Sequence, residues 1–223
     1  MSEFSISIGS SLLWVGLYFV FMLFYTFMDI AVWRKVFQKH SDIANLIAVA
    51  FCICVFLILL GKTGYELHIF SHFTLSGFLL AVCCSILLFI VLDRGLDRVF
   101  ESLFPQSEKG YQEAIQRLTD SSAASFIHVC LLAPFIEEIL MRGFLLNGLV
   151  PRYGTAAALL LSSILFAILH FNMVQSLSAF LCGMVLGLLC LTTDSVLCCI
   201  IAHSVYNILS CAAILRSAAT TPK

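Results

Sequence analysis

The stretch NLIAVAFCICVFLILLG, residues 45–61, contains no charged side chain, and comparable apolar runs follow one another along the chain. A run of about 20 apolar residues can cross a bilayer as a helix. Only 11% of the residues are charged and the mean hydropathy is +1.04, where soluble domains carry about 25% charge. A soluble fold could not hide that much apolar surface, so lipid must solvate it. The runs are long and continuous, without the alternation of barrel strands. The expected class is therefore all-α, a polytopic membrane helix bundle.

Seven spans are expected, at roughly 11–33, 44–61, 74–95, 123–149, 155–171, 174–192 and 195–215. The fifth is short for a full crossing. Charge placement sets the orientation. Arg34, Lys35, Lys39, Arg94, Arg98, Lys109, Arg117, Arg216 and Lys223 fall in alternate loops or after the last span, while Lys62 and Arg152 fall in the others. The excess of cations marks the cytosolic side and predicts N-out and C-in. Arg142 alone remains inside the membrane. Without Lys or Arg, the tail MSEFSISIGS gives no sign of a cleavable signal peptide. The reading is a single membrane domain, 1–223.

Several features receive structural readings. The net charge of -1 points to no nucleic-acid partner. The ten cysteines lie in apolar runs with no CxxC pair, which suits core filling rather than a disulfide or metal cluster. In the loop 96–121, GYQEAIQRL places Tyr111, Ile115 and Leu118 at helical spacing, predicting either an amphipathic surface helix or a linker. Ala179, Gly183 and Gly187 form a small-xxx-small face for close helix packing. His40, His68 and His72 read as interfacial or loop-borne, as do Asp29, Asn147 and Asn172 near span ends. His128, nine residues before Glu137, falls half a turn away on an α-helix.

The polar groups inside the spans need another explanation, because an ionisable group in lipid costs about 2.5 to 3.5 kcal/mol even on insertion scales. The fourth span, around FIEEILMRGF, holds Glu137, Glu138 and Arg142. The fifth ends ILFAILHF, with Phe166 and His170, and the seventh contains AHSVYN, with His203 and Asn207. Glu138 and Arg142 are four apart, in the favoured order for an ion pair. Glu137 points about 100° away and need not share that arginine. Counted from the outer span ends, Glu137, His170 and His203 lie roughly 18, 22 and 14 Å deep, a common level within the error of the boundaries. One cavity could gather them. Desolvation turns a glutamate into a competent general base toward water. One histidine can hold that water, and a second with an asparagine can stabilise an oxyanion.

These three motifs, Glu137-Glu138-x-x-x-Arg142, Phe166-x-x-x-His170 and His203-x-x-x-Asn207, resemble in order and spacing the CPBP family. Its members are intramembrane glutamic endopeptidases of the CAAX prenyl protease type II, bacteriocin-processing-like and abortive-infection-like kinds. The resemblance spans about 123–213 and makes 123–215 the expected catalytic core. It implies a water-activating Glu137, a water-positioning His170, an oxyanion pair of His203 and Asn207, and a supporting pair of Glu138 and Arg142. Phe166 is expected to pack around the site. Spans one to three carry no recognisable motif. The implied substrates are prenylated CAAX tails or peptide precursors, and the implied setting is a bacterial inner membrane.

Two alternatives stay open. Glu137, His170 and His203 also make a His2Glu set that could hold catalytic zinc. No HExxH helix is present, and a metal-bound Glu137 would leave Glu138, held by Arg142, as the base, so no cofactor is the favoured reading. A non-catalytic membrane immunity or scaffold protein is the other. A transporter is disfavoured because neither a repeat nor a broken helix pair appears.

Overall fold

The computed structural model describes residues 4–107, 123–170 and 172–220. The expected amphipathic segment around Tyr111 lies outside them. Among the described residues every regular element is helical. The helices join into seven rods: α1 (Ile8–Val36), α2 (Ser41–Gly61), α3 (Leu75–Leu103), α4 (123–153), α5 (Thr155–Ile168), α6 (Met173–Thr193) and α7 (Val196–Thr220). Five of them, α1, α2, α3, α6 and α7, are long and apolar enough to cross a membrane. The protein is thus a multi-pass helical bundle. The other two expected spans are α4, which carries the three internal charges, and the shorter apolar α5. Helix ends run past the predicted spans at α3, which continues to Leu103, and stop short at α5.

Local chemistry sets the ends of the rods. Ser7 Oγ accepts from Ser10 N at 3.1 Å and caps α1, and Thr74 Oγ1 accepts from Gly77 N at 3.0 Å and caps α3. Between α4 and α5 the chain reverses through Gly154 at φ 78, a left-handed conformation that glycine adopts without strain. Before α1, Ile6 N donates to Gly148 O at 2.8 Å, and Phe4 lies on Tyr65 and Phe144. The N-terminal residues, the 62–74 loop and the C-terminal half of α4 therefore meet at one end of the bundle.

Lipid gives apolar faces no reason to seek one another, so helices join where steric fit is good. The most extensive packing is between α5 and α6. There the expected small-residue face operates as its spacing suggests. A Cβ on Gly183 would lie 3.1 Å from Ser163 Cα, so any side chain there would push the two backbones apart by a few tenths of an ångström. The next most extensive contact joins α7 to α3. Side chains such as Leu13, Phe51 and Leu75 stay on the outside, where a soluble protein would bury them.

The rod α4 is not uniformly α-helical. It widens into π-turns at His128–Leu132 and Ile139–Leu146. The first has a visible cause. Pro134 has no N–H, and Ala133 N donates five residues back to His128 O. That pattern would require residue 134 to donate to Val129 O, which proline cannot do. The orphaned carbonyl is taken by Asn207 Nδ2 from α7 at 2.9 Å.

The ten cysteines are all free thiols. Most are buried among apolar neighbours, and Cys130 and Cys211 touch at 3.6 Å between α4 and α7. Asp29 is buried rather than solvated, and accepts from Arg34 Nε at 2.8 Å. His68 and His72 sit in the 62–74 loop as expected, beside Glu66 and Asp194.

Candidate active site

A cavity of about 440 Å³ opens between α1, α3, α4, α5, α6 and α7. Glu137, Phe166, His170, His203 and Asn207 all line it. The rods α4, α5 and α7 thus bring the four expected site residues to one space. Glu138 and Arg142 do not line it. They sit directly behind, Glu138 fully buried and Arg142 1% exposed.

The buried charges form a connected set. Arg142 Nη1 donates to Glu138 Oε1 at 2.7 Å, and Nη2 donates to Gly183 O at 3.1 Å. The arginine therefore ties α4 to the close-packed backbone of α6. Its guanidinium also lies over the Phe166 ring, 4.9 Å from the centroid. His203 Nδ1 lies 2.8 Å from the same Glu138 Oε1. An ionised carboxylate is an acceptor only, so Nδ1 carries the proton and Nε2 is left for other partners. Glu138 is more than an internal partner for Arg142, because it also orients His203 across 65 residues of sequence.

Geometry also fixes the other imidazole. His170 Nδ1 lies 3.1 Å from Phe166 O, and a carbonyl can only accept. The His170 Nε2 lone pair is then free to accept from a water. Phe166, 1% exposed, stands edge-on between the two histidines, with ring centroids 5.1 Å from His170 and 5.7 Å from His203. It packs against both imidazoles. Asn207 spends one amide hydrogen on Val129 O and keeps a second.

Glu137 turns away from Arg142, and its side-chain partner is Tyr18, whose hydroxyl lies 3.5 Å from Oε1. Among the described residues, no three His, Cys, Asp or Glu side chains are grouped so as to hold a metal ion.

The cavity wall also contains residues that sequence reasoning left aside. His128 lines it, with its ring 5.6 Å from Tyr25. An α-helical period sets His128 half a turn from Glu137, but the π-turn at 128–132 changes the register between them. From α3 come Asp93, which accepts from Tyr206 at 2.8 Å, and Asp97, which accepts from Ser178. Neither carboxylate carries a sequence signal, since both sit where span three was expected to end. Asn172 does not point to headgroups. Its side chain caps α6, accepting from Val174 N at 2.9 Å, and donates to Ser107 O.

The multi-pass bundle thus brings carboxylates and imidazoles together on one internal cavity, an arrangement suited to polar chemistry within the membrane. Residues 119–209 match the family of Rce1-like proteins, type II CAAX prenyl endopeptidases. The match covers less than half of the chain and supports reading this segment as a CAAX-type protease domain, a peptide hydrolase. The segment covers α4, α5, α6 and most of α7, and leaves α1 to α3 outside. Comparison with curated proteins and with solved structures gave no match.

Proposed function

We propose that the protein hydrolyses a peptide bond through water activated by Glu137, without a metal, on a prenylated CAAX or peptide-precursor substrate. The observation that carries this reading is that Glu137, His170, His203 and Asn207, from three rods, line one internal cavity.

In this reaction a water sits between Glu137 and His170. Its first hydrogen faces the Glu137 carboxylate and its second the free His170 Nε2, which aims its lone pair. Glu137 takes one proton as the oxygen adds to the carbonyl carbon. The carbonyl oxygen becomes an oxyanion. His203 Nε2, when protonated, and the second Asn207 amide hydrogen donate to it. Glu138 keeps His203 aligned and balances its charge. Collapse of the intermediate breaks the C–N bond, and the proton held by Glu137 passes to the leaving amine. The immediate products are a carboxylic acid and an amine, and transfer of the second water proton from acid to amine gives carboxylate and ammonium, so atoms and charge balance.

The test is cleavage of a mixed library of prenylated and unprenylated peptides by detergent-purified protein, before and after exhaustive chelation, with Glu137→Gln as the blank. The proposal expects cleavage that survives chelation and disappears in the variant. Glu137→Ala, His170→Ala and His203→Ala should each abolish hydrolysis while still inserting in the membrane. Cleavage lost on chelation and restored by zinc would move Glu137, His170 and His203 to metal ligation. Normal cleavage by all three variants would place the reaction elsewhere.

A further inference from the structure

The family-matched segment begins at residue 119, yet the only side-chain hydrogen bond to Glu137 among the described residues comes from α1. Tyr18 lies in the middle of that rod and is 5% exposed. A buried phenol hydroxyl needs a hydrogen-bond partner. Its partner is Glu137 Oε1 at 3.5 Å, where the phenol donates and the carboxylate accepts.

Two observations make this more than a chance approach. First, the ring is held. Tyr18 stands edge-on to Phe56 at 5.7 Å, and Phe56, 1% exposed, also meets Trp14 at 5.6 Å and Phe21 at 5.8 Å. The hydroxyl cannot swing away without breaking this aromatic cluster. Secondly, Glu137 lines the large cavity and Tyr18 does not. The phenol reaches the carboxyl from behind, on the side away from the space a substrate would enter. At 3.5 Å the contact is at the long end of hydrogen bonding.

We infer that Tyr18 is a positioning residue for Glu137, supplied by a helix outside the segment that defines the family. The inference rests on the reading of Glu137 as the base. By holding Oε1, the phenol leaves the second carboxylate oxygen directed at the cavity. The rod α1 is then part of the reaction apparatus as well as a membrane anchor. Simple packing is the competing account, and it assigns the hydroxyl no role.

Tyr18→Phe removes the hydroxyl and keeps the ring. The expected result is a kcat about tenfold lower, the scale of one hydrogen bond to a charged group, with KM and melting temperature unchanged. An infrared readout is independent of turnover. The Glu137 carboxyl band is identified as the band lost in Glu137→Gln, and it should shift in Tyr18→Phe. A wild-type kcat with an unmoved band would overturn the inference. So would a loss of activity accompanied by an equivalent loss of stability and an unmoved band. If Glu137→Gln cleaves as well as wild type, or wild type cleaves nothing, the proposed function fails. The band shift then still decides whether Tyr18 holds Glu137.

Discussion

Removal of Arg142 tests the buried charge set most directly. Its guanidinium is 1% exposed, its partner Glu138 is fully buried, and both lie in the rod that carries Glu137. Arg142→Ala would leave Glu138 with His203 as its remaining partner, and Glu138 Oε2 already has no hydrogen-bond partner among the described residues. Breaking a buried ion pair from one side costs about 3 to 5 kcal/mol, because a charge is left uncompensated. The substitution also severs the tie to Gly183 O and the stacking on Phe166. For a chain of this size each kcal/mol moves the melting temperature by about 2 to 4 °C, so the shift should be about 6 to 20 °C downward. The assay is thermal unfolding of the detergent-purified protein, read by retention on size exclusion after heating.

Replacing both members separates charge from volume. Glu138→Gln with Arg142→Met removes the pair and keeps the space filled, and a neutral replacement is often nearly free of cost. The double variant should therefore melt above Arg142→Ala, with a coupling of about 0.5 to 3 kcal/mol. Melting of Arg142→Ala within about 2 °C of wild type would refute the argument, since it would mean that Glu138 does not need its partner.

Further outcomes follow from packing and capping. Gly183→Leu should lower folded yield sharply, because even a Cβ would sit 3.1 Å from Ser163 Cα, and yield after membrane extraction measures it. Asn172→Ala should destabilise by about 1 kcal/mol through loss of the α6 cap, seen as a small drop in melting temperature.

The comparison between sequence and structure is most instructive along α4. Its i,i+4 pair, Glu138 and Arg142, was legible because both residues lie within one helical turn. The position of His128 was not. Pro134 widens the rod at 128–132, and the α-helical period then assigns His128 to the wrong face. Span ends were legible to a few residues where capping was strong, as at Thr74 and Asn172. They were less so at α3, whose helix runs past the apolar run to Leu103.

By itself, the sequence determined that the chain is a helical bundle in lipid. It also determined that three of its spans carry polar groups too costly to be incidental, and that α6 offers a face made for close approach. Those are properties of composition and period, local to each rod. The tertiary structure alone decided that His203 leans on Glu138, that Asn207 takes the carbonyl Pro134 leaves unpaired, and that Tyr18 reaches Glu137. Hydropathy cannot encode these meetings, because lipid solvates every apolar face alike. Which faces meet depends on the steric fit between rods and on the register a π-turn imposes, and both arise only when the rods are packed.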